Sequence, residues 1–305
     1  MLKALMILSS FTVVFTESIS SSETSSDGKS KTVFVLGTLH GGMFENPNYS
    51  MLDFQKAIMT FSPTHILTEV RSDHTGPVEG AIDGGIEQSL VYAIADKTGA
   101  KIIAVDWFDD DLLQEYFAEA AAAKENQAFV KEVSVVNEEV LKLAATAGML
   151  AWNGTKMREL IRKNDQIAEK HGFLSSLKRN QKICENIKKA LEEIESGRVL
   201  IVFGASHKYY FDDYLKGNQE LEVISDMADW FDPEKAEQVI FDEDINTVAV
   251  NYLKESRELL KTRLESGFYN PEFAKALEGK YRRIDQAIVN FLKLSQKKED
   301  KNEQP

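Results

Sequence analysis

Apolar residues fall into two patterns along this chain: short unbroken runs, and longer stretches where they recur at every third or fourth position. Val33-Phe34-Val35-Leu36, Ile66-Leu67-Thr68 and Val199-Leu200-Ile201-Val202-Phe203 are of the first kind. They are rich in β-branched and aromatic residues, as in strands buried on both faces of a parallel sheet. The pattern predicts strands over 32–37, 65–69, 101–105, 198–204 and 221–225. Between them it predicts a helix over 51–60, stopped before Pro63, and another over 87–97, ending near Gly99. Strand, helix, strand, helix, strand is the alternation of an α/β fold with a mostly parallel central sheet flanked by helices.

From Asp109 to Glu195 the chain turns rich in Ala, Glu, Lys and Leu and loses its strand signals. This predicts a helical insertion over about 109–196, between the third and fourth strands. Asp110 or Asp111 is expected to cap its first helix, Val130, Val133, Val140 and Leu141 to face the core from a second, and His171 to close a third beside Gly172. A C-terminal helical region is expected over 231–305, with a helix starting at Pro271-Glu272 and a charged, disordered tail from Lys297.

The strands matter because each ends in a group able to do chemistry. Gly37-Thr38-Leu39-His40 follows the first, Glu69 ends the second, Asp106 ends the third, and Gly204-Ala205-Ser206-His207 follows the fourth. Parallel strands bring such groups to one rim, where open α/β sheets bind ligands. The glycine ending the first strand is expected to turn the chain so that the imidazole points across the edge. Ser206 does not complete a nucleophile elbow, because Lys208 stands where the final glycine belongs. Arg71 is placed to hold the Glu69 carboxylate, and His74 lies in the loop beyond. His65, at the start of its strand, reads as structural. Two imidazoles and two carboxylates suit a divalent metal with an open position, or a general base and acid around a water.

Composition narrows the field. The 305 residues carry a formal net charge of -13, which excludes the basic footprint of a nucleic-acid binder. The single cysteine, Cys184, lies on an apolar helix stripe and makes neither a disulfide nor a cysteine-rich zinc site. Lys3 followed by the uncharged apolar stretch Ala4–Phe15 reads as a secretory signal over 1–20, with a Ser-rich linker over 21–31. The expected location is extracytoplasmic, periplasmic or secreted, with no transmembrane span in the mature chain. Asn48-Tyr49-Ser50 and Asn153-Gly154-Thr155 match the glycosylation pattern.

Taken together, Gly37-Thr38-Leu39-His40, the following Pro47, Glu69 after the second strand, Arg179-Asn180, and Gly204-Ala205-Ser206-His207 resemble the TraB/Tiki group. That group belongs with the erythromycin esterases and ChaN-like haem-binding proteins. The resemblance covers roughly residues 33–215, inside an α/β domain expected over 32–230. It implies a rim site with His40, Glu69 and His207 as catalytic groups, and His40, Glu69, Asp106 and His207 as metal ligands. Arg71 and Arg179 would orient substrate. Asp106 stands where the group carries a second glutamate. The function implied is an extracytoplasmic metal-dependent hydrolase of peptide or ester bonds, acting on a peptide or small-molecule substrate. The alternatives are a non-catalytic haem- or metal-binding protein, with Tyr209 and Tyr210 beside a haem, and an inactive interaction scaffold.

Overall fold

The computed structural model describes residues 31–146, 148–237, 242–266 and 271–302. The expected signal and most of the linker lie outside them. Five strands form one sheet: β1 (Lys31–Thr38), β2 (His65–Arg71), β3 (Lys101–Asp106), β4 (Gly197–Gly204) and β5 (Leu221–Ile224), in the order β3-β2-β4-β1-β5. The sheet is all parallel and flanked by helices, so the α/β expectation holds. Val33 to Leu36 and Val199 to Phe203 are at most 1% exposed, as strands covered on both faces require.

The chain divides into two compact units, one formed by residues up to Gly37 with Trp107–Trp230, the other by Thr38–Asp106 with Phe231–Pro305. In the first, β1 pairs with β5 from Lys31↔Leu221 to Phe34↔Ile224. Its helices are α4 (Asp110–Glu125), α5 (Gln127–Thr146), α6 (Met149–Trp152), α7 (Thr155–Lys170), α8 (Ser175–Glu193) and α9 (Lys208–Leu215). The helical insertion between the third and fourth strands therefore exists as expected, built of α4 to α8. Asp109 caps α4 by accepting from Leu112 N, one residue earlier than the expected Asp110 or Asp111. The core face of α5 is Val133, Val136 and Val140, whereas Val130 and Leu141 are exposed. Val130 and Leu141 lie off the buried stripe, which at 133, 136 and 140 keeps the helical period. His171 follows the last residue of α7, as expected.

Asn153 is buried and clamps the end of β1 like a missing strand partner. Its Oδ1 accepts from Gly37 N at 2.7 Å, and its Nδ2 donates to Gly37 O and Met149 O. A side chain committed in this way is closed to glycosylation, so that pattern match is coincidental. Lys208, the residue that spoils the nucleophile elbow, is itself fully buried. Its Nζ donates to Val35 O at 2.7 Å and pairs with Asp212, which also accepts from Arg158. Burial pushes the Lys208 ammonium down and the Asp212 carboxyl up, each opposed by its partner. Tyr209 is packed among Val136, Val140, Met157, Leu160 and Ile161.

In the second unit β2 pairs with β3 from His65↔Lys101 onward, with an irregular register between Thr68 and Arg71. Around them lie α1 (Met51–Phe61), α2 (Pro77–Asp83), α3 (Gln88–Thr98), α10 (Pro233–Glu237), α11 (Glu243–Glu265) and α12 (Pro271–Asn302). Helix α1 opens on a capping box between Ser50 and Asp53. The C-terminal helices pack into this unit with residues 38–106. Helix α12 continues to Asn302, where a disordered tail was expected. Lys297, Lys298, Glu299 and Lys301 are good helix formers, which a charge-based reading of the tail overlooks.

Candidate functional site

After β1 the chain enters a short 3-10 turn over His40–Phe44. The sharp conformation expected of Gly37 falls instead on His40, which adopts a left-handed φ of 48°. Left-handed backbone is costly for a residue with a side chain. Gly37 answers a different need: a Cβ there would stand 2.8 Å from Ala205 Cα.

His40 meets a partner the sequence did not reveal. Its Nδ1 lies 2.7 Å from Glu87 Oε1, and Thr38 Oγ1 donates to the same oxygen at 3.0 Å. Glu87 is 0% exposed, stands at the N-terminal end of α3, and does not cap that helix with its side chain. Burial alone would raise its carboxyl, but the charge and hydrogen bond of His40, its own backbone and Thr38 outweigh this and hold it below the usual glutamate value. The start of α3 also favours negative charge. An ionised Glu87 only accepts, so Nδ1 carries the proton and Nε2 is left with its lone pair. The His40 side chain is 45% exposed, and Glu69 Oε2 is 3.8 Å from Nε2. Glu69 is itself buried within the irregular stretch of β2, where a break in register re-aims side chains.

In the sequence Glu87 is marked only as the first residue of a helix. The one local signal was Asp83-Gly84-Gly85 before it, a turn too tight for side chains. A Cβ on Gly84 would be 2.3 Å from Glu69 O, and one on Gly85 would be 2.2 Å from Glu87 Oε2. Arg71 binds Asp83, with Nε donating to Oδ1 and its backbone N to Oδ2, both at 2.9 Å. His74 sits against Arg71, its Nε2 2.8 Å from Nη2, and within 3.6 Å of Glu79. Asp106 ends β3 nearly buried, in register with Arg71. His65 contacts Thr64 at the strand start, and burial and Lys101 lower its affinity for protons.

The other two expected site residues belong to the first unit. His207 is 3% exposed. Its Nδ1 donates to Asn180 Oδ1 at 2.6 Å, and Arg179 Nη1 approaches Nε2 at 3.5 Å. The ring stacks on Phe211 and meets Phe203 edge-on. Arg179 also lies over the Phe108 ring, 5.8 Å from its centroid.

Among the described residues no group of three or more His, Cys, Asp or Glu side chains converges to hold an ion. His40 Nε2 and Glu69 offer one nitrogen and one carboxylate, whereas catalytic zinc sites take three protein ligands.

Fold and site together define an α/β protein with an all-parallel sheet and a carboxylate-held imidazole after its first strand. No family model matches the chain, and no curated protein or solved structure does either. No described helix is long and apolar enough to cross a membrane.

Proposed function

We propose that this protein is a hydrolase of peptide or ester bonds, with His40 as the base that activates water. One observation carries the reading: an imidazole whose Nδ1 is fixed 2.7 Å from a buried carboxylate while the ring stays half exposed. His40 Nε2 takes a proton from water as its oxygen bonds to the substrate carbonyl carbon. The imidazolium then returns that proton to the leaving nitrogen or oxygen as the scissile bond breaks. Glu87 holds the tautomer and stabilises the imidazolium. Glu69, beside Nε2, orients the water. Membership of the TraB/Tiki-like group, a location outside the cytoplasm, roles for His207 and Asp106, and substrate orientation by Arg71 and Arg179 are further parts of the proposal. They rest on the resemblance and, for location, on residues 1–20.

The test is cleavage of a peptide and ester panel by the purified chain, with elemental analysis and with chelator added. Cleavage abolished by His40→Ala and by Glu69→Ala, in folded protein, supports the proposal. Unchanged cleavage in Glu69→Ala removes the chemistry. Stoichiometric metal required for cleavage would restore the metal-dependent form, and a Soret band without cleavage would favour the haem-binding alternative.

A further inference from the structure

The residues just before Glu87 and a lysine far along the chain share a structural role. The Asp83-Gly84-Gly85 turn lies against both acidic residues of the site: a Cβ on Gly84 would meet the Glu69 backbone O, and one on Gly85 would meet the Glu87 carboxylate. Its shape therefore sets where Glu87 Oε1 stands relative to His40. The turn is held from two sides. Arg71 grips the Asp83 carboxylate, and Lys280 on α12 donates from Nζ to Asp83 O at 2.9 Å. Helix α12 also packs on the 3-10 turn that begins with His40, Phe44 meeting Phe291 edge-on at 4.9 Å.

We propose that Lys280 is a positioning residue of the site, fixing the Asp83–Gly85 turn so that Glu87 stays bonded to His40. Packing alone does not call for this side chain. Even a partly buried ammonium gives up hydration, which an apolar residue in its place would not. Burial does push the Lys280 amine down, to about 8, with Arg283 acting the same way and Asp83, Glu87 and Glu69 opposing them. A lysine set beside the acids of the site and bonded to the carbonyl of the turn that shapes them has a role in their geometry. The C-terminal helix thus belongs to the site and not only to the scaffold. The functional meaning rests on the reading of His40 as the base.

The experiment is proton NMR of the full chain in water, observing the downfield resonance of the His40 Nδ1–H held by Glu87, assigned by its absence in His40→Ala. In Lys280→Met, with the fold verified by circular dichroism, the resonance is expected to exchange at least tenfold faster or vanish. In Lys280→Arg, which keeps a long cationic donor, it is expected to persist. An unmoved resonance in Lys280→Met, equal loss in the methionine and arginine variants, or absence of the signal in the unaltered chain overturns the proposal. Lys280→Gln serves where methionine unfolds the chain, and unfolding of both shows a purely structural lysine and overturns it too. The readout needs no substrate. Failure to find hydrolysis would remove the proposed activity and leave this result standing, and an unmoved resonance would remove only Lys280.

Discussion

His40 and His207 occupy the same place in the same local sequence, Gly-x-x-His after an apolar strand, and reach opposite surroundings. His40 is half exposed on left-handed backbone, and its Nδ1 faces a carboxylate. His207 is buried on ordinary helical backbone, and its Nδ1 faces an amide oxygen. A carboxylate partner stabilises the imidazolium, as proton transfer requires, whereas an amide fixes a tautomer without favouring charge. The motif sets where an imidazole sits, and the partner brought by another part of the chain sets what it can do.

The sharpest way to break this contrast is to remove each imidazole in turn. His40→Ala is expected to lower cleavage by roughly 10²–10⁴-fold. His207→Ala should be compared at equal folded fraction, and an equal collapse would make the two rings partners in the chemistry. Glu87→Gln leaves the His40 ring an amide in place of a carboxylate, converting its surroundings to those of His207. Cleavage should fall by roughly 10–100-fold, the range for groups that orient a reacting side chain.

Smaller effects sharpen the comparison through stability. Gly85→Ala would drive a methyl to within 2.2 Å of Glu87 Oε2. The strain should cost about 1–3 kcal/mol in denaturant melts and lower cleavage as well. Asn180→Ala removes the buried acceptor of His207 and should cost about 1–2 kcal/mol, read in the same melts.

How much of this was legible in the sequence differs between frame and site. Unbroken apolar runs at Val33–Leu36 and Val199–Phe203 gave the strands directly, because burial on both faces leaves no other pattern. His40 and Glu69 were legible as strand-end groups, and the structure holds them 3.8 Å apart. Glu87 was not, because its role depends on a contact 47 residues away in the chain and its helix-start position reads as ordinary. Lys280 was hidden in the same manner. On a helix with Glu278, Arg282 and Arg283 around it, a lysine reads as solvated, and only the turn at Asp83 gives it a place. Arg71 shows the converse: sequence proximity pointed to Glu69, while Asp83 binds it twice.

The pairing of Glu87 with His40 has a signature in pH. A carboxyl held below its usual value contributes stability that is complete above the unfolded value of about 4.3 and is lost as pH falls through the folded one. The most direct measurement is therefore carbon-13 NMR titration of the Glu87 side-chain carboxyl in the unaltered chain and in His40→Ala. The account predicts titration below the usual glutamate range in the first and a shift upward in the second, where burial acts with its main opponent gone. A Glu87 that titrates at the same pH with and without His40 would contradict the pair on which the proposed chemistry stands.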